Sequence, residues 1–293
     1  MIALAFIVQT LRIAIPYLLA AAGGVMSERA GLIALTLEGY MLGGAFGAAV
    51  GALTTGSPTV GAICGMVAGA LLALLYAAAS MKFRANQVVT GVAINLLVIG
   101  LTRFFLRLLY DSSSNSPRLP GFRGATGSGF GALVTNPLVW VGVVAFAFVG
   151  WLLARTAFGL RVRAIGEHPE AAASVGVNVE RTRYIAVALS GVLAALGGVY
   201  LALDQHQFTD QMTAGRGFIA LAATIFGRWE PKRVAVACLL FAAAETLQIQ
   251  LQGTQHIPSQ FVEMIPYVLT IVALAGVVGR AVPPAALGRE EQV

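Results

Sequence analysis

Long apolar runs broken by short polar links repeat along the whole chain. A helix needs about 20 apolar residues to cross a hydrocarbon core of about 30 Å. Runs of that order occur near 3–24, 31–53, 59–80, 87–110, 137–154, 184–203, 234–252 and 261–279. A further stretch, 217–227, is apolar but short; at about 1.5 Å per residue a helix there reaches roughly half-way across. Backbone can stop at membrane depth only where protein or a watery cavity satisfies it, so this stretch predicts a half-helix or re-entrant segment. The pattern as a whole predicts an all-α, polytopic transmembrane helical bundle. It has about eight or nine spans and forms a single membrane domain over 1–293.

Composition sharpens this. The chain is 58% hydrophobic and 11% charged, where a soluble domain carries about 25% charged residues and has no interior able to hide so much apolar surface. Its 34 glycines suit membrane helices, in which Gly is frequent. The net charge of +6 would suit nucleic acid if Lys and Arg formed a stripe, but they sit in links between apolar runs. Lipid, not nucleic acid, is the expected environment. Most of the 19 basic residues fall in 25–30, 81–86, 155–183, 228–233 and the tail after 280. Arg118, Arg123 and Arg216 fall in the opposite links, and Arg12, Arg103 and Arg107 lie within spans. The links of the first set share one side if 217–227 reaches across, and the positive-inside rule then places them in the cytoplasm and the N-terminus outside. The first run lacks a basic leader and a small-residue cleavage site, so 3–24 is expected to be a retained span. Cys64 and Cys238 lie in apolar runs and read as small core residues. His168, His206 and His256 are scattered, so no metal site is expected.

The long links differ. Residues 111–136, rich in Gly, Ser and Pro, predict an extracytoplasmic surface loop. Residues 155–183 hold an Ala-rich stretch with Pro169 at a first helical turn and Gly176 at a helix stop. That predicts a short cytoplasmic helix at about 169–175, preceded by a basic strand-like or helical piece. Gly39, Gly43, Gly47 and Gly51, and then Gly61, Gly65 and Gly69, recur every four residues. Each set lies on one helix face, which allows close helix packing; lining of a conduit is the alternative.

A few polar residues sit inside the apolar runs. Glu38 would cost on the order of 3 kcal/mol at the bilayer centre unless paired, protonated or wetted. It reads either as a pathway residue or as half of an ion pair, with Arg12 or Arg103 as partner. Glu245, Gln248 and Gln252 share a helix face that would line a central cavity or a subunit interface. Asn95 reads as helix glue or as a ligand contact. Gly215, Arg216 and Gly217 precede the short apolar stretch. The N-terminus of a half-helix offers free N–H groups and the positive end of a dipole, as transporter sites do; the alternative is an ordinary loop entering a helix. There is no G-x-x-x-x-G-K-[ST], so the chain does not itself bind ATP through a P-loop. H-E-x-x-H and G-x-S-x-G are missing too, and no nucleophile–base set supports an intramembrane enzyme.

Four segments carry a family resemblance: SERAGLIALTLEGYMLGGAF (27–46), FRANQVVTGVAINLLVIGLTRF (83–104), RVRAIGEHPEAAASVGVNVERTRY (161–184) and TAGRGFIALAATIFGRWEP (213–231). They resemble the permease subunits of ABC importers for branched-chain amino acids, simple sugars and nucleosides, and ANQVV and TAGRGFIALAA point to the nucleoside-type branch. The resemblance implies a subunit that binds no cofactor directly and relies on ATP used by a partner ABC ATPase. It also implies a second, distinct permease and an extracytoplasmic substrate-binding lipoprotein, in a bacterial inner membrane. Residues 164–176 would form the coupling helix, with Arg163, Gly166, Glu167, Glu170, Ala171, Ala172 and Gly176 at the ATPase. Loops 111–136 and 204–216 would meet the binding protein. Glu38, Asn95, Arg216, Phe218 and Glu245 would line the substrate pathway. One departure stands out: the branch carries Asn–Ile–Gly before Leu–Glu–Gly, where this chain has Ala34, Leu35 and Thr36. A different ligand would follow if that stretch faced substrate. The rival reading, a secondary transporter or channel, leaves the basic Ala-rich inner loop unexplained.

Overall fold

The computed structural model describes residues 2–122, 130–252 and 282–289. The helices are α1 Ile2–Arg29, α2 Leu37–Thr55, α3 Pro58–Ala77, α4 Gln87–Tyr110, α5 Phe130–Thr135, α6 Pro137–Arg155, α7 Ala157–Glu167, α8 Pro169–Ser174, α9 Val179–Asp204, α10 Arg216–Phe226 and α11 Pro231–Leu251. A π-helical turn, Ala78–Lys82, extends α3. The β structure among the described residues is a lone bridge between Asn115 and Thr209.

Helix starts follow local chemistry. Pro opens α3, α6, α8 and α11, where its missing N–H costs nothing and its φ is preset. Asn86, Asn136, Thr156 and Asn178 cap α4, α6, α7 and α9 by accepting from first-turn N–H groups; such caps satisfy donors the helix cannot. Both predicted pieces of 155–183 are helical, as α7 and α8.

Among the described residues, six helices are long and apolar enough to cross a membrane: α1, α3, α4, α6, α9 and α11. The expected count of eight or nine is therefore not reached among the described residues. The run 31–53 becomes α2 only from Leu37, because residues before it leave the helix and Glu38 lowers its apolar character. The run 217–227 becomes the short α10, and the expected span 261–279 lies outside the described residues.

Helices α2 and α9 form the centre and are buried along most of their length. Glycines bring α2, α3 and α9 into backbone contact. A side chain on Gly65 would strike the carbonyl of Gly44 and Val199, and one on Gly69 would strike Ala195 and the carbonyl of Gly191. Gly47 and Gly51 lie against Cys64, Gly61 against Ala48 and Ala52, Gly43 against Leu72, and Gly39 against Asn95. In lipid no hydrophobic force draws helices together, so close packing supplies the attraction. The periphery is apolar and exposed, with Val89, Leu96, Phe104 and Leu108 on α4 and Trp140, Val144 and Trp151 on α6.

Candidate functional site

The site grows from two interruptions in the helical order. After α1 the chain runs non-helically from 30 to 36 before α2 begins. Buried backbone without a helix must find other partners, and here side chains supply them. Ser27 Oγ donates to the carbonyl of Leu32 at 2.9 Å. Ile33 N–H donates to Gln87 Oε1 at 2.9 Å, and Tyr76 donates to the carbonyl of Ile33 at 2.7 Å. Ala34 N–H donates to Glu28 Oε1, and Asn95 Nδ2 donates to the carbonyl of Leu35 at 2.9 Å. Asn95 Oδ1 also accepts from Gly39 N–H at 2.9 Å. Asn95 is thus held at both ends by the α2 entry.

The second interruption precedes α10. Gln211 and Ala214 adopt left-handed φ of 53° and 46°, a strained state for residues with a Cβ, and Gly215 at φ 81° follows as the N-cap. Helix α10 then runs about 16 Å, roughly half the membrane core. Its far end turns at Trp229, whose indole N–H donates to Glu28 near the end of α1.

Glu38 joins the two interruptions. Its Oε1 accepts from Thr213 Oγ1 at 2.5 Å and Gly215 N–H at 2.9 Å, and its Oε2 accepts from Gly217 N–H at 2.7 Å. Glu38 lies in the first turn of α2 and caps α10, so two helix N-termini, each a positive dipole end, stabilise one buried carboxylate. Neither suggested cation partner is involved. Arg12 pairs with Asp204 and Arg103 with Asp210, each at 2.8 Å. The free N–H groups expected at α10 are therefore occupied by Glu38. Gly217 is required at this contact, because a Cβ there would collide with the Glu38 backbone.

Arg216 is also engaged: it donates to Glu245 Oε1 at 2.6 Å and to the carbonyl of Met212 at 3.1 Å. Tyr17 donates to the other oxygen of Glu245. Beside these groups lies a cavity of about 190 Å³ lined by Glu38, Gly39, Asn95, Gln211, Thr213 and Phe218 among others. Of the five expected pathway residues, Glu38, Asn95 and Phe218 line it, while Arg216 and Glu245 pair alongside. The variant stretch Ala34–Leu35–Thr36 is packed within the chain and is not among the lining residues described.

The residues expected at the ATPase divide into two groups. Glu170, Ala171 and Gly176 are exposed at α8, as is Val175 beside them, and Arg163 is exposed on α7. Ala172 is buried, Gly166 rests on the carbonyl of Arg29, and Glu167 Oε2 accepts from Ala285 N–H. Apolar patterning does not single out Glu28, Trp229 or Arg183, yet all three tie the structure together. Glu28 accepts from Trp229 and Ala34, and buried Arg183 donates to the carbonyl of Ala30 at 3.0 Å. By position Glu28 resembles a solvated link residue. The available signal is the helix that begins the chain, which extends to Arg29 and carries Glu28 into the protein.

The sequence matches the family described as branched-chain amino acid transport system / permease component over residues 6–274. It is 41% identical over 300 residues to the guanosine ABC transporter permease protein of Bacillus subtilis, covering 95% of this chain and 93% of that one. It is 36% identical over 301 residues to a nucleoside ABC transporter permease protein of Lactococcus lactis, covering 93% and 92%. In fold it is similar to a solved metal-chelate type ABC transporter in an inward-facing conformation, with a TM-score of 0.58 and 16% identity over 92% of this chain and 85% of that one.

Proposed function

The chain belongs to the permease family of branched-chain amino acid transport systems, and on that premise we propose how its geometry moves a solute. It is the multi-pass membrane permease subunit of an ABC importer, a transport component rather than an enzyme, and works with an ATPase and a substrate-binding partner. That membership sets aside a secondary transporter or channel. The observation that carries the proposal is the junction of α2 and α10 at the Glu38 carboxylate, with a cavity beside it.

The cavity is the solute path. At about 190 Å³ it is smaller than the usual ligand pocket of about 300–1,000 Å³, so a second permease, a distinct homologue, supplies the opposing wall. The solute is a nucleoside, in keeping with the two nucleoside-type relatives. Asp204 and the described part of the 111–136 loop, residues 111–122, face outward toward a substrate-binding lipoprotein, and α7, α8 and Trp229 face the cytoplasm, following the basic residues; residues 123–129 of that loop lie outside the described residues. Helix α2 crosses the centre of the bundle shielded from lipid, which brings the span count above six.

Exposed Glu170 and Ala171 of α8, with Val175 and Gly176 just after it, form the seat for the ATPase, which holds the ATP. From there the route inward is short. Helix α7 rests through Gly166 on Arg29 at the end of α1, and the neighbouring Glu28 holds Trp229 at the foot of α10. Closure of the ATPase pair would move α7 against α1 and tilt α10 at the path. The test is co-purification with the ATPase encoded beside it. The wild-type chain should co-elute, and the double variant Glu170→Arg, Gly176→Arg should not. Retention of the ATPase by a well-folded double variant would rule out α8 as the seat.

A further inference from the structure

We infer that Glu38 makes the path charge-selective, so that it passes uncharged or cationic polar solutes and rejects phosphate esters and other anions. The inference rests on the reading of the cavity as the solute path and specifies the class of solute it admits.

A helix N-terminus at membrane depth normally attracts anions, because its N–H groups and dipole favour negative charge. At α10 that place is taken. Gly215 N–H, Gly217 N–H and Thr213 Oγ1 all converge on the Glu38 carboxylate. An anionic solute would have to displace a group held by the chain itself. The nearby positive charge is also neutralised, since Arg216 is paired with Glu245 at 2.6 Å. Among the described residues that line the cavity, the charged one is Glu38; the rest are apolar, amide, hydroxyl or backbone groups. The N-terminal dipoles of α2 and α10 offset part of this charge, so what an anion meets is a wall that offers it no free cation and no free N-terminal N–H group at α10, with residual negative charge on the carboxylate oxygens.

The chemistry of an accepted solute follows. A carboxylate has about four acceptor sites, and three hydrogen bonds already reach Glu38, which leaves capacity for a hydroxyl or N–H donor from the solute. Gln211 offers an amide and Phe218, 47% exposed, offers a ring face. A sugar hydroxyl and a flat heterocycle suit this set. The same molecule bearing a phosphate would bring two negative charges against a carboxylate that makes no salt bridge among the described residues.

Charged thiol reagents test this whatever the substrate is. In the assembled transporter, with Cys64 and Cys238 replaced by Ala, a cysteine at the lining position Ile99 (Ile99→Cys) would be treated with neutral, cationic and anionic methanethiosulfonates. Rates would be normalised to a free thiol. The expected result is an anionic reagent slowed about tenfold relative to the neutral one, with the cationic reagent as fast or faster. Adding Glu38→Gln should bring the three rates to within about twofold. If Glu38→Gln does not assemble, Gln211→Lys decides instead: it leaves the α10 bonds intact, places a cation in the lining and should erase the discrimination. Equal rates in the parent, or an unchanged ratio in an assembled variant, would overturn the filter while leaving the path in place. No reaction with any reagent would show that the cavity is not on a solute path, and both readings would fall.

Discussion

Asn95 and Glu38 show what a polar side chain does inside an apolar bundle. From the sequence each is ambiguous between structure and ligand contact, and each proves to be held largely by backbone. Asn95 satisfies Gly39 N–H and the Leu35 carbonyl. Asn95→Ala would leave both without their partner, at about 1–3 kcal/mol per buried group. Glu38→Ala removes the acceptor of three donors at once and should destabilise more. Thr213→Val removes one donor and should destabilise least of the three. Thermal unfolding of the detergent-solubilised protein checks the order; a midpoint for Glu38→Ala above that for Asn95→Ala would contradict it. Neither set of partners could be read from the sequence, because Leu35 and Asn95, or Glu38 and Gly217, meet only after folding.

At the scale of the element, the same residue type has opposite effects depending on its helix. Gly→Ala in a helix interior normally gains up to about 1 kcal/mol. Gly100 on α4 faces open space, so Gly100→Ala should be neutral or stabilising. Gly69 on α3 abuts Ala195 and the Gly191 carbonyl, so Gly69→Ala should force α3 from α9 and lower the unfolding midpoint. The pair is a matched test read by the same thermal scan, and destabilisation of equal size in both would show that the α3–α9 approach is not tight. The spacing of four marked Gly61, Gly65 and Gly69 as one face. Gly191, their counterpart on α9, belongs to no such series in the sequence and is located by the packing alone.

Across the whole molecule, the placement of loops makes a topological prediction. With the native cysteines replaced, Val175→Cys at the end of α8 should be labelled by an impermeant thiol reagent from the cytoplasmic side only. Ser113→Cys, exposed beyond α4, should be labelled from the outer side only. Labelling of both from one side would overturn the orientation drawn from the basic residues. The ATPase should also raise the unfolding midpoint, since a partner that binds only the folded state stabilises it by mass action. Glu170→Arg with Gly176→Arg should abolish that rise, while the midpoint of the free subunit falls only slightly: both positions are exposed, but Gly176 sits at φ 86°, where a side chain is strained.

The sequence alone determined the medium, the helical class, the short helix α10 and the family, because each follows from composition, run length or local motif, all of which are linear properties. It also marked Glu38, Asn95 and Phe218 as candidates for the path. The tertiary structure decided where α2 begins, what fills the N-terminus of α10 and which cation each buried carboxylate lacks or finds. Those outcomes depend on groups that meet only in the folded chain, some nearly two hundred residues apart, such as Glu38 and Gly217 or Glu28 and Trp229. Run length treats 31–53 as one helix, yet hydrogen bonds donated by Tyr76 and Asn95 and accepted by Gln87 and Glu28 stabilise the unwound entry. Apolar periodicity records which residues avoid water, and it holds no information about which distant polar group will satisfy a given backbone atom.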